Sequence, residues 1–111
     1  MSTVQQLGKK AEDRAANFLL ELGYSIIARR YKGRYGEIDL IALDNEIVVC
    51  IEVKYRAKEI PELAIDSKKI RRIKQTAVEY IYKSELKGKQ FRFDVIAMDK
   101  SEIRHYIDAF R

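Results

Sequence analysis

The order of hydrophobic periods along the chain predicts an α/β domain with a mixed sheet, and three observations carry that reading. Two segments repeat apolar residues at threes and fours, as the buried face of a helix does. Five others alternate, or run apolar in β-branched and aromatic residues, as strands do. Their order is α-β-β-β-α-β with a candidate last strand after it, and no repeat or low-complexity stretch interrupts them. At 111 residues, 47% hydrophobic and 35% charged, the chain supports one core, so residues 1–111 are read as a single domain.

The first helix spans about Val4 to Leu22, with Val4, Leu7, Ala11, Ala15, Phe18 and Leu22 on one face and Gly23 as its stop. Tyr24 to Tyr31 is a strand by composition. Glu37 to Leu43 and Glu46 to Tyr55 form a hairpin about the turn signal Asp44-Asn45. Pro61 marks a loop. Asp66 or Ser67 caps a second helix whose apolar stripe is Ile70, Ile73, Ala77 and Ile81, ending near Gly88. Phe91 to Met98 is a further strand, and Ile103 to Ile107 is the candidate last one.

Several function classes are disfavoured by composition. No run of about 18 uncharged apolar residues is present to cross a membrane, and MSTVQQLGKKAEDR lacks a signal-peptide core, so a cytoplasmic protein is expected. Cys50 and His105 are the only cysteine and histidine, which leaves zinc and Ser-His or Cys-His triads poorly supplied. Cys50 sits in an apolar run and reads as a buried structural thiol.

The net charge of +5 is unevenly spread: residues 1–65 carry ten basic and ten acidic side chains, residues 66–111 twelve and seven. Arg29, Arg30, Lys32 and Arg34 form one basic cluster, interleaved with Tyr31 and Tyr35. Lys68, Lys69, Arg71, Arg72 and Lys74 form another. Between them, residues 37–52 hold Glu37, Asp39, Asp44, Glu46 and Glu52 with no basic residue. Such clusters are either solvated faces or a cation site where a polyanion docks.

Strand geometry brings particular carboxylates together. Glu52 and Lys54 share a strand face. A two-residue loop at Asp44-Asn45 sets Asp39 opposite Cys50 and diagonal to Glu52; one at Asn45-Glu46 sets Asp39 directly opposite Glu52. Two carboxylates ~5 Å apart repel by roughly 3 kcal/mol at an effective dielectric of 20. Either a divalent cation or a Glu52–Lys54 or Asp39–Lys54 ion pair relieves that conflict. On a helical wheel, Glu12 lies about 20° from Leu19 and 40° from Gly8, at the rim of the apolar arc. A carboxylate reaching the same face from a second element makes a metal site the better joint explanation.

Gly36-Glu37-Ile38-Asp39-Leu40-Ile41-Ala42 followed by Ile51-Glu52-Val53-Lys54-Tyr55-Arg56 resembles the PD-(D/E)xK nuclease signature, with thirteen positions from Asp39 to Glu52 and Ile38 in place of the motif's proline. Together with Ala11-Glu12-Asp13, Arg92-Phe93-Asp94-Val95 and Asp108-Ala109-Phe110, the chain is similar to the YraN-type UPF0102 family. That resemblance implies a restriction-endonuclease-like three-layer fold, related in core pattern to archaeal Holliday-junction resolvases. It implies Mg²⁺ or Mn²⁺ held by Asp39, Glu52, the Val53 backbone carbonyl and Glu12, with Lys54 as the catalytic lysine. Glu37 also matches and its role is open; Asp94 matches and is read as structural.

The implied activity is metal-dependent phosphodiester hydrolysis in DNA, branched or junction DNA included, with homodimerisation suggested by the resolvase analogy. Arg29, Arg30, Lys32, Arg34, Lys68, Lys69 and Arg72 are the candidate nucleic-acid contacts, reading phosphate and shape rather than bases. Two other classes stay open: a non-catalytic nucleic-acid-binding module, and an adaptor whose basic faces meet an acidic protein.

Overall fold

The computed structural model describes residues 4–55 and 66–110. The Pro61 loop and Arg56 of the second motif lie outside the described residues. The elements are α1 (Val4–Glu21), β1 (Ser25–Lys32), β2 (Glu37–Asp44), β3 (Ile47–Tyr55), α2 (Ser67–Lys83), β4 (Phe91–Met98) and β5 (Ile103–Phe110).

The helix ends follow local chemistry. Gly23 adopts φ +93°, and the Tyr24 N–H returns to the Leu19 carbonyl at 3.0 Å, closing α1 as a left-handed glycine allows. Leu22, expected on the buried face, is instead 54% exposed, because the helix has ended before it. Asp66 caps α2 by accepting the Lys69 N–H at 2.8 Å. That helix stops at Lys83 rather than near Gly88: the Ser84 N–H bonds the Tyr80 carbonyl, and Glu85 and Gly88 take positive φ in the turn that follows.

The five strands lie in the order β1-β2-β3-β4-β5. Only the β3–β4 pair is parallel, so α2 lies in the crossover that parallel strands require. The β2–β3 hairpin turns through Asn45-Glu46, with Asn45 at φ +53° and Asp44 paired to Ile47. The last strand is longer than the sequence suggests and reaches Phe110.

Alternation along the central strands divides the core into two layers. Leu40, Ala42, Val49, Ile51, Ile96 and Met98 pack under Ala11, Ala15, Ala16 and Leu19 of α1. Ile41, Val48, Cys50 and Phe93 pack under Ile73, Ala77 and Ile81 of α2. A helix therefore covers each face, giving the α/β fold with a mixed sheet that the periodicity predicts.

The β1–β2 turn is fastened to α2. The Arg34 N–H donates to Glu79 Oε2 at 2.9 Å, and a Cβ on Gly33 would lie 2.6 Å from that same oxygen. Gly33 leaves room for that approach, and the contact ties the turn that leads into β2 to α2.

Candidate metal and nucleic-acid site

The β2–β3 register runs Asp44↔Ile47 to Leu40↔Ile51, and one further step brings Asp39 opposite Glu52. This is the register that an Asn45-Glu46 loop dictates. Both carboxylates stand on the α2 face, Glu52 being on the same side of β3 as Val48 and Cys50. Asp39 Oδ2 accepts the Val53 N–H at 2.8 Å. A strand residue's N–H and C=O point the same way, so the Val53 carbonyl also turns toward β2.

Burial and the neighbouring Glu52 charge push the Asp39 carboxyl up from its ordinary 3.8 to about 8, against the opposing Val53 N–H and Lys69 charge. Glu52 is itself buried at 9% exposure, and its Oε1 lies 3.2 Å from Lys69 Nζ. The pair opens into a cleft of about 480 Å³ lined also by Gly36, Glu37, Asp66, Lys68 and Arg72. Burying two facing carboxylates is expensive, and a cradle of hard oxygen donors suits Mg²⁺ or Mn²⁺.

Glu12 is placed differently from the arrangement its wheel position suggests. It belongs to α1, on the opposite face of the sheet, and Arg30 Nε donates to its Oε1 at 2.7 Å. Burial raises its pKa against the Arg30 bond, and the charges of Asp39 and Glu37 raise it further. Lys54 is half-buried on the strand face that carries Glu52. Among the described residues, no group of three or more His, Cys, Asp or Glu side chains is placed to hold a metal.

The basic residues fall in three places. Lys68, Lys69 and Arg72 line the acidic cleft and are exposed. Arg29 and Arg30 line a separate, smaller cleft with Lys9, Glu12 and Asp13, where Arg29 pairs with Asp13 at 2.8 Å. Lys32 and Arg34 are exposed beside the β1–β2 turn. Tyr31, interleaved with that basic cluster, packs edge-on against Tyr80 at 4.8 Å between ring centres. Tyr35 remains exposed.

The largest polar network among those described lies on the α1 face. Asp94, fully buried, accepts Arg92 Nε at 3.0 Å, contacts His105 Nε2 at 2.8 Å and accepts the Asp108 N–H at 2.9 Å. Arg92 continues to Asp44 at 3.0 Å and to the Tyr24 hydroxyl at 2.6 Å. Burial pushes the Asp94 carboxyl up, but these donors outweigh it and hold it below the ordinary range. The sequence offers one signal for this network: Arg92 and Asp94 share a strand face at i, i+2. A larger, mainly apolar groove of about 810 Å³ near Val78, Phe91 and Phe110 lies away from the acid pair.

The family model described as "Uncharacterised protein family UPF0102" matches residues 11–98, from the middle of α1 through β4. A UPF0102 protein of Persephonella marina is 43% identical over 106 residues, covering 93% of this chain and 91% of that one. A UPF0102 protein of Lachnoclostridium phytofermentans is 47% identical over 107 residues, covering 93% and 91%. One from Thermotoga maritima is 39% identical over 99 residues, covering 88% and 91%. On the family match and the near full-length relatives together, this chain belongs to the UPF0102 family.

Proposed function

We propose that the protein is a metal-dependent nuclease that hydrolyses phosphodiester bonds in DNA, branched or junction DNA among its substrates. The observation that carries the reading is the facing of Asp39 and Glu52 in a cleft rimmed by Lys68, Lys69 and Arg72. A structural ion pair has no need of two carboxylates, whereas a cation site beneath a phosphate-binding rim uses both.

The donor set fits a hard divalent cation: Asp39 and Glu52 would hold it, with the Val53 carbonyl beside them and Glu12 acting from the rim of the sheet. Bound there, Mg²⁺ or Mn²⁺ supplies Lewis acidity toward the scissile phosphate and the attacking water. Lys54 orients that water and offsets charge on the phosphate in the transition state. Lys68 and Arg72 hold the flanking backbone through phosphate contacts, which position the strand without reading its sequence.

A non-catalytic nucleic-acid-binding module is the second reading, favoured by the lack of a three-ligand cluster among the described residues. Incubation with branched, nicked, single-stranded and linear substrates in Mg²⁺, Mn²⁺ or EDTA separates the two. Cleavage that requires a cation is the expected result. Salt-sensitive binding with no cleavage under any condition supports the module instead.

A further inference from the structure

Lys69 stands where two demands meet. Its backbone N–H is tied to the Asp66 cap at 2.8 Å, which fixes its place in the first turn of α2. Its ammonium lies 3.2 Å from Glu52 Oε1. The lysine side chain is 49% exposed and the glutamate 10%, so the cation is the partner able to move. Lys68 and Arg72 line the same cleft and open to solvent.

We propose that Lys69 is a positioning residue that occupies Glu52 in competition with the divalent cation and, when the cation binds, swings out to a nucleic-acid phosphate beside Lys68 and Arg72. The inference rests on the metal reading above. A dication and an ammonium cannot share one carboxylate oxygen without strong like-charge repulsion, and the long, half-exposed lysine has solvent to move into. Displacement then completes a track of three cations along the cleft. Because linkage is reciprocal, cation binding strengthens the hold on nucleic acid, and nucleic acid strengthens the hold on the cation by the same factor.

The test is Mn²⁺ affinity, read by electron paramagnetic resonance on the full chain without nucleic acid, for wild type, Lys69→Met, Lys69→Arg and Lys68→Met. Removing the competitor should tighten Mn²⁺ binding about three- to fivefold in Lys69→Met, the scale of one half-exposed ion pair. Lys69→Arg, which keeps the competing charge, should stay near wild type. Lys68→Met reports the general effect of losing a nearby charge and should gain less than about twofold, as an exposed charge is screened. Wild-type affinity in Lys69→Met, or a gain no larger than that of Lys68→Met, overturns the competition while leaving the metal site standing. If neither wild type nor Lys69→Met takes up Mn²⁺, the metal reading itself falls, and the inference with it.

Discussion

The Asp39 carboxylate accepts the backbone N–H of Val53 at 2.8 Å, one residue beyond the Glu52 that it faces. The acid pair is therefore set by main chain as well as by side-chain register. Such rigidity makes the repulsion between the two carboxylates a property of the fold, and it can be read as stability.

Burial and the facing Glu52 push the Asp39 carboxyl up to about 8 from its ordinary 3.8. A raised carboxyl favours folding fully below the unfolded value and loses that contribution as pH rises toward the folded one. In EDTA, wild-type stability should thus decline between about pH 4 and pH 8, where the unfolded chain ionises first. Asp39→Asn removes this slope and gains at least about 1 kcal/mol at pH 8. Urea denaturation followed by circular dichroism at several pH values checks both; parallel pH profiles for the two proteins contradict the prediction.

Lys54→Ala should abolish cation-dependent cleavage while leaving nucleic-acid affinity within about tenfold, since one charge among many adds little to phosphate attraction. Cleavage assays run beside filter binding measure the two separately. Wild-type cleavage by the variant removes Lys54 from the reaction.

Replacing Lys68, Lys69 and Arg72 together by alanine should weaken binding equally across sequences and flatten the salt dependence by about 2–3 in log–log slope, near 0.9 per lost phosphate contact. Fluorescence anisotropy over a salt series gives the slope. An unchanged slope moves the docking face to Arg29–Arg34.

What the sequence made legible follows from the range of each interaction. Periodicity is local, so both helices and all five strands could be placed from it, and the alternation rule brought Asp39 to Glu52 once the hairpin loop was fixed. The loop itself was ambiguous by one residue, because Asp44-Asn45 and Asn45-Glu46 both contain the turn-forming Asn45; the pairing of Asp44 with Ile47 decides it. Which sheet face α1 covers is a tertiary matter, and so the sequence could not show that Glu12, projecting from α1, takes Arg30 as its hydrogen-bond partner while the Asp39 charge acts on it. Lys69 reaching Glu52 and His105 reaching Asp94 join elements that no spacing rule connects.

The Asp94 network should be structural in its response. Asp94→Ala leaves Arg92 and His105 buried without their shared partner, a class of change that costs about 3–5 kcal/mol. Urea denaturation should show that loss, whereas Asp94→Asn, which retains acceptor capacity, should lose less. A fully stable Asp94→Ala protein would falsify the account of β5 as tied to β4 through this carboxylate.

The most direct test of the Asp39–Glu52 cation site is a set of four melting curves, wild type and Asp39→Asn, each with Mn²⁺ and with EDTA. A ligand that binds only the folded state raises the melting temperature, and the rise grows with the logarithm of ligand concentration above the dissociation constant. The account predicts a Mn²⁺-dependent rise in wild type and none in Asp39→Asn, which melts at or above wild type in EDTA. A wild type indifferent to Mn²⁺, together with an Asp39→Asn that melts well below it, would contradict the site and leave Asp39 as one half of a structural ion pair.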